Sequence, residues 1–94
     1  MKNDLEKIIR EIRELRKIAE EEIVNVNQSI KLIISENRKD KKDIEELLDH
    51  TLNLILLGVG DKEFHELNDF YSAFDSQTAE DYKRFYEEMI ERKY

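Results

Sequence analysis

The most apolar stretch of the chain lies in its middle and has the spacing of a buried helix. Within residues 41–57, apolar positions recur every three or four residues, which is the period of a helix with one apolar face. Leu52, Leu56 and Leu57 widen that face, so the second half of this helix is apolar around most of its circumference. Such a helix has to be covered on several sides, and we expect the other segments to pack around it. The residues of the main face are Ile44, Leu47, Leu48, Thr51, Leu54 and Ile55.

A much longer helix is predicted before it, over residues 4–38. Its apolar positions follow a heptad spacing that is interrupted once, by a four-residue step between Ala19 and Ile23. Oppositely charged residues four apart, such as Glu6 and Arg10, support an exposed helical face. The chain has no proline, and neither glycine precedes residue 58, so nothing interrupts the pattern. The stripe consists of Leu5, Ile8, Ile12, Leu15, Ala19, Ile23, Val26, Ile30 and Ile33, widened by Ile9.

Aromatic residues mark two shorter helices in the last third of the chain, over about 62–74 and 79–93. Asp40, Asp61 and Thr78 stand at positions typical of helix N-caps. No segment alternates between apolar and polar residues with period two, so no sheet is expected. The stripe of the first helix is Phe64, Leu67, Tyr71 and Phe74, and that of the second is Tyr82, Phe85, Tyr86, Met89, Ile90 and Tyr94.

The predicted fold is therefore all-α and forms a single domain over residues 1–94. One long N-terminal helix, about 4–38, is followed by three shorter helices, about 41–57, 62–74 and 79–93, packed around the apolar second helix. At 1.5 Å per residue the first helix is about 50 Å long and the second about 25 Å, so the second covers only half of the first.

The uncovered half of the long helix is predicted to be a dimerisation arm. Its apolar residues would stay partly exposed in a monomer, and an exposed stripe of large aliphatic side chains usually marks an interface. We expect a homodimer formed through these residues, which are Leu5, Ile8, Ile9, Ile12 and Leu15.

The charge of the chain is unevenly distributed and bears on its partners. The formal net charge is −7, and residues 61–81 contain seven acidic residues against one lysine. Nucleic-acid binding depends on clustered Lys and Arg, so we expect no direct nucleic-acid partner. No run approaches the roughly 20 apolar residues of a membrane span, and we expect a cytoplasmic protein. We expect the acidic face instead to bind another protein, of which a basic one is the favoured kind; the predicted partner-binding residues are Glu63, Glu66, Asp69 and Phe70.

The sequence lacks the side-chain constellations of the common enzymes. It has no cysteine, and the two glycines, Gly58 and Gly60, match neither nucleotide-binding fingerprint. Asp61, His65 and Asp69 share one helical face, but no fourth metal ligand is visible beside them. The second histidine, His50, has no glutamate three residues before it, as a di-iron bundle requires. We therefore predict no catalytic residue, no metal site and no cofactor.

Three functions remain compatible with the sequence. The first is a small acidic interaction factor, an inhibitor or regulator that binds another protein, of the kind phages or mobile elements carry. The second is a structural adaptor that only dimerises, through a coiled-coil-type contact of the long helix. The third is a nucleic-acid mimic, whose acidic face blocks a basic groove on another protein. Mimicry predicts binding that weakens steeply with added salt.

Overall fold

The computed structural model describes residues 2–93, and the side chains of residues 3–92. These residues form four helices and contain no strand, which confirms the all-α prediction. The helices are α1 (Lys2–Ser35), α2 (Lys41–Ile55), α3 (Asp61–Ser72) and α4 (Ser76–Lys93). With 34 residues, α1 should measure about 51 Å, and the longest dimension of the molecule is 53 Å. The long helix is therefore essentially straight and sets the length of the molecule.

The other three helices gather at the C-terminal half of α1. Both α2 and α3 pack against α1, and α3 also packs against α4. Most of the buried side chains come from α2 and α3, with Phe64, Leu67 and Tyr71 fully enclosed on α3. We call residues 19–92 the head and residues 3–18, which precede its first buried side chain, the arm. On α1 the buried core residues are Ala19, Val26, Ile30 and Ile33.

The end of α2 is fixed by glycine at the expected place, but the helix is shorter than predicted. Gly58 has φ +94°, a left-handed conformation that L side chains adopt only at a cost. The N–H of Val59 donates to the carbonyl of Leu54 at 3.3 Å, which is the closing bond of a Schellman motif. Asn37 ends α1 in the same way, with φ +51°. Regular helix in α2 stops at Ile55, and Leu56 and Leu57 form the turn that leads to Gly58.

Three side chains expected to be covered are exposed. Leu56 and Leu57 follow the last residue of α2, and their exposed fractions are 59% and 40%. Phe85, expected on the inner stripe of the last helix, is 57% exposed. Leu52 does lie in the core, so the covered side of α2 ends where the chain turns away from the helix. The prediction that the second half of α2 is covered on several sides is therefore wrong for its last residues.

The first turns of α3 and α4 also differ from the prediction. The carboxylate of Asp75 accepts a hydrogen bond from the Thr78 N–H at 3.2 Å, so α4 begins at Ser76 and Thr78 lies inside its first turn. Asp61 was expected to cap α3, but it is the first helical residue, and its Oδ1 accepts the Tyr86 hydroxyl at 2.6 Å. The Asp61 carboxylate thus serves a contact 25 residues along the chain, which local spacing does not reveal.

Candidate interaction surfaces

The arm carries six of the eleven exposed large hydrophobic side chains of the described residues. Every described side chain of the arm is exposed, the aliphatic ones included. Their exposed fractions lie between 41% and 60%, although large aliphatic side chains are usually buried. The residues are those predicted for dimerisation, Leu5, Ile8, Ile9, Ile12 and Leu15, followed by Ile18.

The exposed stripe lies on the same face of α1 as the residues buried in the head. Ile12 is eighteen residues before Ile30, and Leu15 is eighteen residues before Ile33. At 3.6 residues per turn, eighteen residues make five complete turns, so each pair shares one direction around a straight helix. Ile30 and Ile33 are buried in the head, whereas Ile12 and Leu15 are more than half exposed.

A groove joins the arm to the head at the turn between α2 and α3. The Arg16 guanidinium lies close over Gly58, where a Cβ would come within 3.8 Å of its Nη2 atom. Beside this contact is an open apolar groove of about 310 Å³. It is lined by Ile12, Leu15, Arg16, Leu56, Leu57 and Gly58. The exposed leucines after α2 therefore extend the apolar surface of the arm rather than forming an isolated patch.

A second apolar groove continues from Leu56 onto α4. It has a volume of about 300 Å³ and is lined by Leu56, Phe85 and Met89, with Glu88 and Arg92. The sequence did not point to this surface, because Phe85 and Met89 fit the helical stripe expected to face the core. The one sign in the sequence that Leu56 and Leu57 would be exposed is their position directly before Gly58, where the helix has to end.

The predicted partner-binding residues all lie on α3, but they differ in exposure. Asp69 is exposed, whereas Glu63, Glu66 and Phe70 are half-buried. The Phe70 ring packs edge-to-face on Phe74, with 5.7 Å between ring centroids, and it lies against the core. The structure brings these four residues onto one helix that also forms the interior of the head. Asp69 is the one most freely available to a partner.

Two tyrosines connect α4 to the rest of the head through carboxylates. The Tyr82 hydroxyl donates to Asp49 Oδ1 at 2.9 Å, and the Tyr86 hydroxyl donates to Asp61 Oδ1 at 2.6 Å. Burial, together with the carboxylate that accepts each bond, raises the pKa of Tyr82 and brings that of Tyr86 to about 12. Both phenols are therefore neutral hydrogen-bond donors at ordinary pH.

An ion pair fixes the turn between α3 and α4 to the start of α2. The Lys41 ammonium contacts Asp75 Oδ2 at 2.5 Å, while Asp75 Oδ1 accepts the Thr78 N–H. The hydrogen bond from Lys41 is the main reason that the pKa of Asp75 falls to about 2, and the Thr78 N–H lowers it further. The same contact raises the pKa of Lys41. Asp75 thus stays ionised through the physiological range.

Both histidines contact side chains of neighbouring helices in the head. His50 Nε2 lies 3.2 Å from Glu22 Oε1, and both side chains are half-exposed. The His65 ring packs edge-on against Tyr86, with 4.7 Å between centroids, and the Asp61 carboxylate beside it is bound by the Tyr86 hydroxyl. Within residues 2–93, no three His, Asp or Glu side chains converge as ligands of a metal ion.

Comparisons of the chain with protein-family models, curated proteins and solved structures find no match. In the described part of the chain, no helix has the length of apolar sequence that crossing a membrane requires. Function therefore has to be inferred from the surfaces of the molecule itself.

Proposed function

We propose that the protein is a small acidic interaction factor that works in the cytoplasm by binding other protein chains, and that its working form is a homodimer joined through the arm. The observation that carries this proposal is the exposed aliphatic stripe of the arm. It continues the buried face of α1, yet the head meets only its end, at the α2–α3 turn, and leaves its side chains exposed. Monomeric proteins rarely leave a contiguous apolar surface of this kind in water.

The energetics of the arm are consistent with a moderately stable dimer. Covering a half-exposed Leu or Ile side chain contributes about 1 kcal/mol, so the five predicted residues of both copies contribute about 10 kcal/mol. Association costs about 4–15 kcal/mol in lost freedom of motion. At the lower end of that cost, the remainder of about 6 kcal/mol corresponds to a dissociation constant of about 40 µM.

A regulator or inhibitor also needs a surface for its target, and the head offers two. One is the groove on α4 beside Phe85, which stays open to solvent. The other is the acidic face of α3, where Asp69 is exposed and would steer a basic partner. Nucleic-acid mimicry is the weaker proposal, because Glu63 and Glu66 are half-buried and a mimic needs its carboxylates in full contact with a basic groove.

A structural adaptor is the alternative that the shape of the molecule favours. The dimensions of 53 × 26 × 18 Å describe a head at one end of a rod. Two such molecules joined through their arms would hold two heads at a fixed distance without any further target. Binding of a basic partner to α3 would favour the interaction factor over this adaptor, and a steep loss of that binding with added salt would favour the mimic.

Sedimentation equilibrium tests the homodimer. Wild-type protein at about 10–300 µM should be partly or fully dimeric. Ile8→Glu with Ile12→Glu should be a folded monomer over the same range, because the charges lie on the exposed stripe and spare the head. Lys7→Gln with Arg10→Gln is the matched control: it changes the charge by the same amount on the polar face and should remain dimeric. A wild-type chain that is monomeric at the highest concentration would refute the proposal.

A further inference from the structure

The proposed homodimer leaves open how the two arms meet, and the structure restricts the answer. Resting on that proposed function, we propose that the arm of a second copy covers the stripe in antiparallel orientation. Leu5 of each copy then lies in the groove beside the α2–α3 turn of the other. The two heads lie at opposite ends of the assembly.

Parallel pairing through this stripe is blocked by the heads. The stripe and the buried residues of α1 share one face, because Ile12 and Ile30 are five turns apart on a straight helix. Two parallel helices packed 8–10 Å apart through Ile12 would also bring their Ile30 residues face to face. That space is already filled in each copy by its own α2 and α3. Antiparallel pairing places α2 and α3 of each copy beyond the arm of the other, so that only the α2–α3 turn lies beside that arm.

The stripe is also complementary to itself when it is read backwards. The steps between its main residues are three, four and three, and the residues are Leu5, Ile8, Ile12 and Leu15. Both the spacing and the residue types are the same in either direction. Two antiparallel copies therefore place Leu5 opposite Leu15 and Ile8 opposite Ile12, each twice, as a two-fold interface requires. The two Ile9 side chains meet beside the axis and add a third kind of contact on the flank.

This register uses the groove at the α2–α3 turn. With Leu5 of one copy level with Leu15 of the other, it faces the groove formed by Leu15, Leu56 and Leu57. A wholly exposed Leu or Ile side chain presents about 100 Å² of apolar surface. The five stripe residues, Leu56 and Leu57 are each about half exposed, and together they offer about 700 Å² in the dimer. Since about 65% of a homodimer interface is apolar, the whole contact approaches 1,100 Å², above the threshold of about 1,000 Å² for a biological interface.

Charge alone would favour the opposite orientation. In a parallel heptad pairing, Glu11 of one helix would approach Arg16 of the other, whereas antiparallel pairing brings the two Glu11 residues together near the axis. Exposed ion pairs of this kind contribute little. Displacing α2 and α3 would expose the core of the head, so the steric argument outweighs the charge argument.

Disulfide trapping distinguishes the two orientations, and the cysteine-free sequence gives it a clean background. Leu5→Cys and Leu15→Cys proteins are mixed and oxidised under mild conditions. Antiparallel arms should give a strong cross-linked dimer in the mixture and little from either variant alone. Glu6→Cys mixed with Glu14→Cys is the matched control. In the antiparallel register these two positions are level with each other, but they lie on the polar face and should not cross-link. Efficient cross-linking of each variant alone would show parallel arms and overturn the proposal.

A distance measurement provides a second, independent readout. A nitroxide attached through Gln28→Cys, an exposed site in the head, lies eighteen residues from the centre of the arm overlap at Arg10. Antiparallel arms separate two such labels by about 54 Å along the axis, whereas parallel arms would leave them on the two outer faces at the same height, within about 30 Å. A short distance in a protein that sediments as a dimer overturns the orientation but not the homodimer. A protein that sediments as a monomer overturns both.

Discussion

Ile12 and Ile30 point in the same direction from α1, five turns apart, yet Ile30 is fully buried and Ile12 is 58% exposed. The two residues are chemically identical and sit in the same helix. The difference follows from the extent of the head, which encloses α1 from Ala19 onwards and touches the arm only through the α2–α3 turn beside Arg16. A helix segment without tertiary cover depends on its own propensity and charge pairs, which are marginal for about 12–15 residues in water.

Hydrogen exchange should therefore reveal two stabilities within α1. Amides of the head, near Ile30, should exchange only through global unfolding. Amides of the arm, near Ile12, should exchange rapidly in dilute protein and become protected as the concentration rises, because dimerisation covers them. Mass spectrometry at about 1 µM and about 200 µM measures the difference. In the Ile8→Glu, Ile12→Glu variant the arm should exchange rapidly at both concentrations.

Leu48 is fully buried on α2, and a charge at this position should unfold the head. Leu48→Asp removes core packing and places a carboxylate in an apolar site, at a cost of several kcal/mol. A domain of this size has a total stability of about 5–15 kcal/mol. Urea denaturation followed by circular dichroism should show a much lower midpoint or no cooperative transition. Asn53→Asp, on an exposed position of the same helix, is the control and should retain the wild-type midpoint.

Acid should weaken the contact between Lys41 and Asp75. The pKa of Asp75 is about 2 in the folded protein and 3.8 ordinarily, so the unfolded chain binds its proton more tightly. Its contribution to stability is therefore complete above about pH 5 and is lost as the pH falls towards about 2. Asp75→Asn keeps a capping side chain but removes the charge. The difference in free energy of unfolding between wild type and this variant should be constant near neutrality and shrink below about pH 4.

A lysine pair provides the control for the same contact. Lys41→Gln should reproduce the loss seen in Asp75→Asn, and combining the two should add little, because both remove one interaction. Lys42→Gln removes an exposed neighbouring charge and should have little effect on the melting temperature. Additive losses from Lys41→Gln and Asp75→Asn would show that the two side chains act independently.

Phe70 should contribute to both folding and binding, since it is half-buried against Phe74. Phe70→Ala should destabilise the head by about 2 kcal/mol, roughly half the cost of removing a fully buried ring. Once a partner is identified, the same substitution at a temperature where the variant is folded should weaken binding by about 1–3 kcal/mol. Calorimetric titration measures the loss.

Charge reversal on the same helix separates steering from contact. Glu66→Lys with Asp69→Lys should mainly slow the association of a basic partner and reverse its salt dependence. If these reversals leave the association rate unchanged while Phe70→Ala only lowers the melting temperature, the partner surface lies elsewhere, and the groove beside Phe85 is the next surface to test.

The sequence was sufficient to predict the helices because each has its own periodic stripe and local end signal. Asp40 illustrates this: its side chain accepts the Asp43 N–H at 3.2 Å, as its position before α2 suggested. The cap signal at Thr78 predicted the start of α4 three residues too late. Thr78 and Asp75 are both plausible caps, and Asp75 is favoured by Lys41, a residue 34 positions earlier that only the folded chain brings near.

The sequence predicted the exposed arm but not the apolar surface of the head. The arm followed from comparing helix lengths, which needs no tertiary information. The exposure of Phe85 depends on how α4 lies on α3, and helical periodicity does not fix the rotation of a helix well enough to separate Phe85 from Tyr86. Tyr86 is drawn inward by stacking on Phe64, with 4.9 Å between centroids, and its neighbour faces solvent as a result.

The tyrosines all lie outside the arm, so the spectroscopic signals of aromatic side chains do not include it. All four tyrosines lie at or after Tyr71, and the chain has no tryptophan. Fluorescence and near-ultraviolet dichroism therefore carry no tyrosine signal from the arm, and within the described residues they follow the head, where the Tyr82 and Tyr86 hydroxyls donate to carboxylates. The arm has no chromophore of its own beyond the peptide bond, so its melting is visible only as lost helix signal in the far ultraviolet. Without any label, a transition seen in that signal but absent from the fluorescence belongs to the arm.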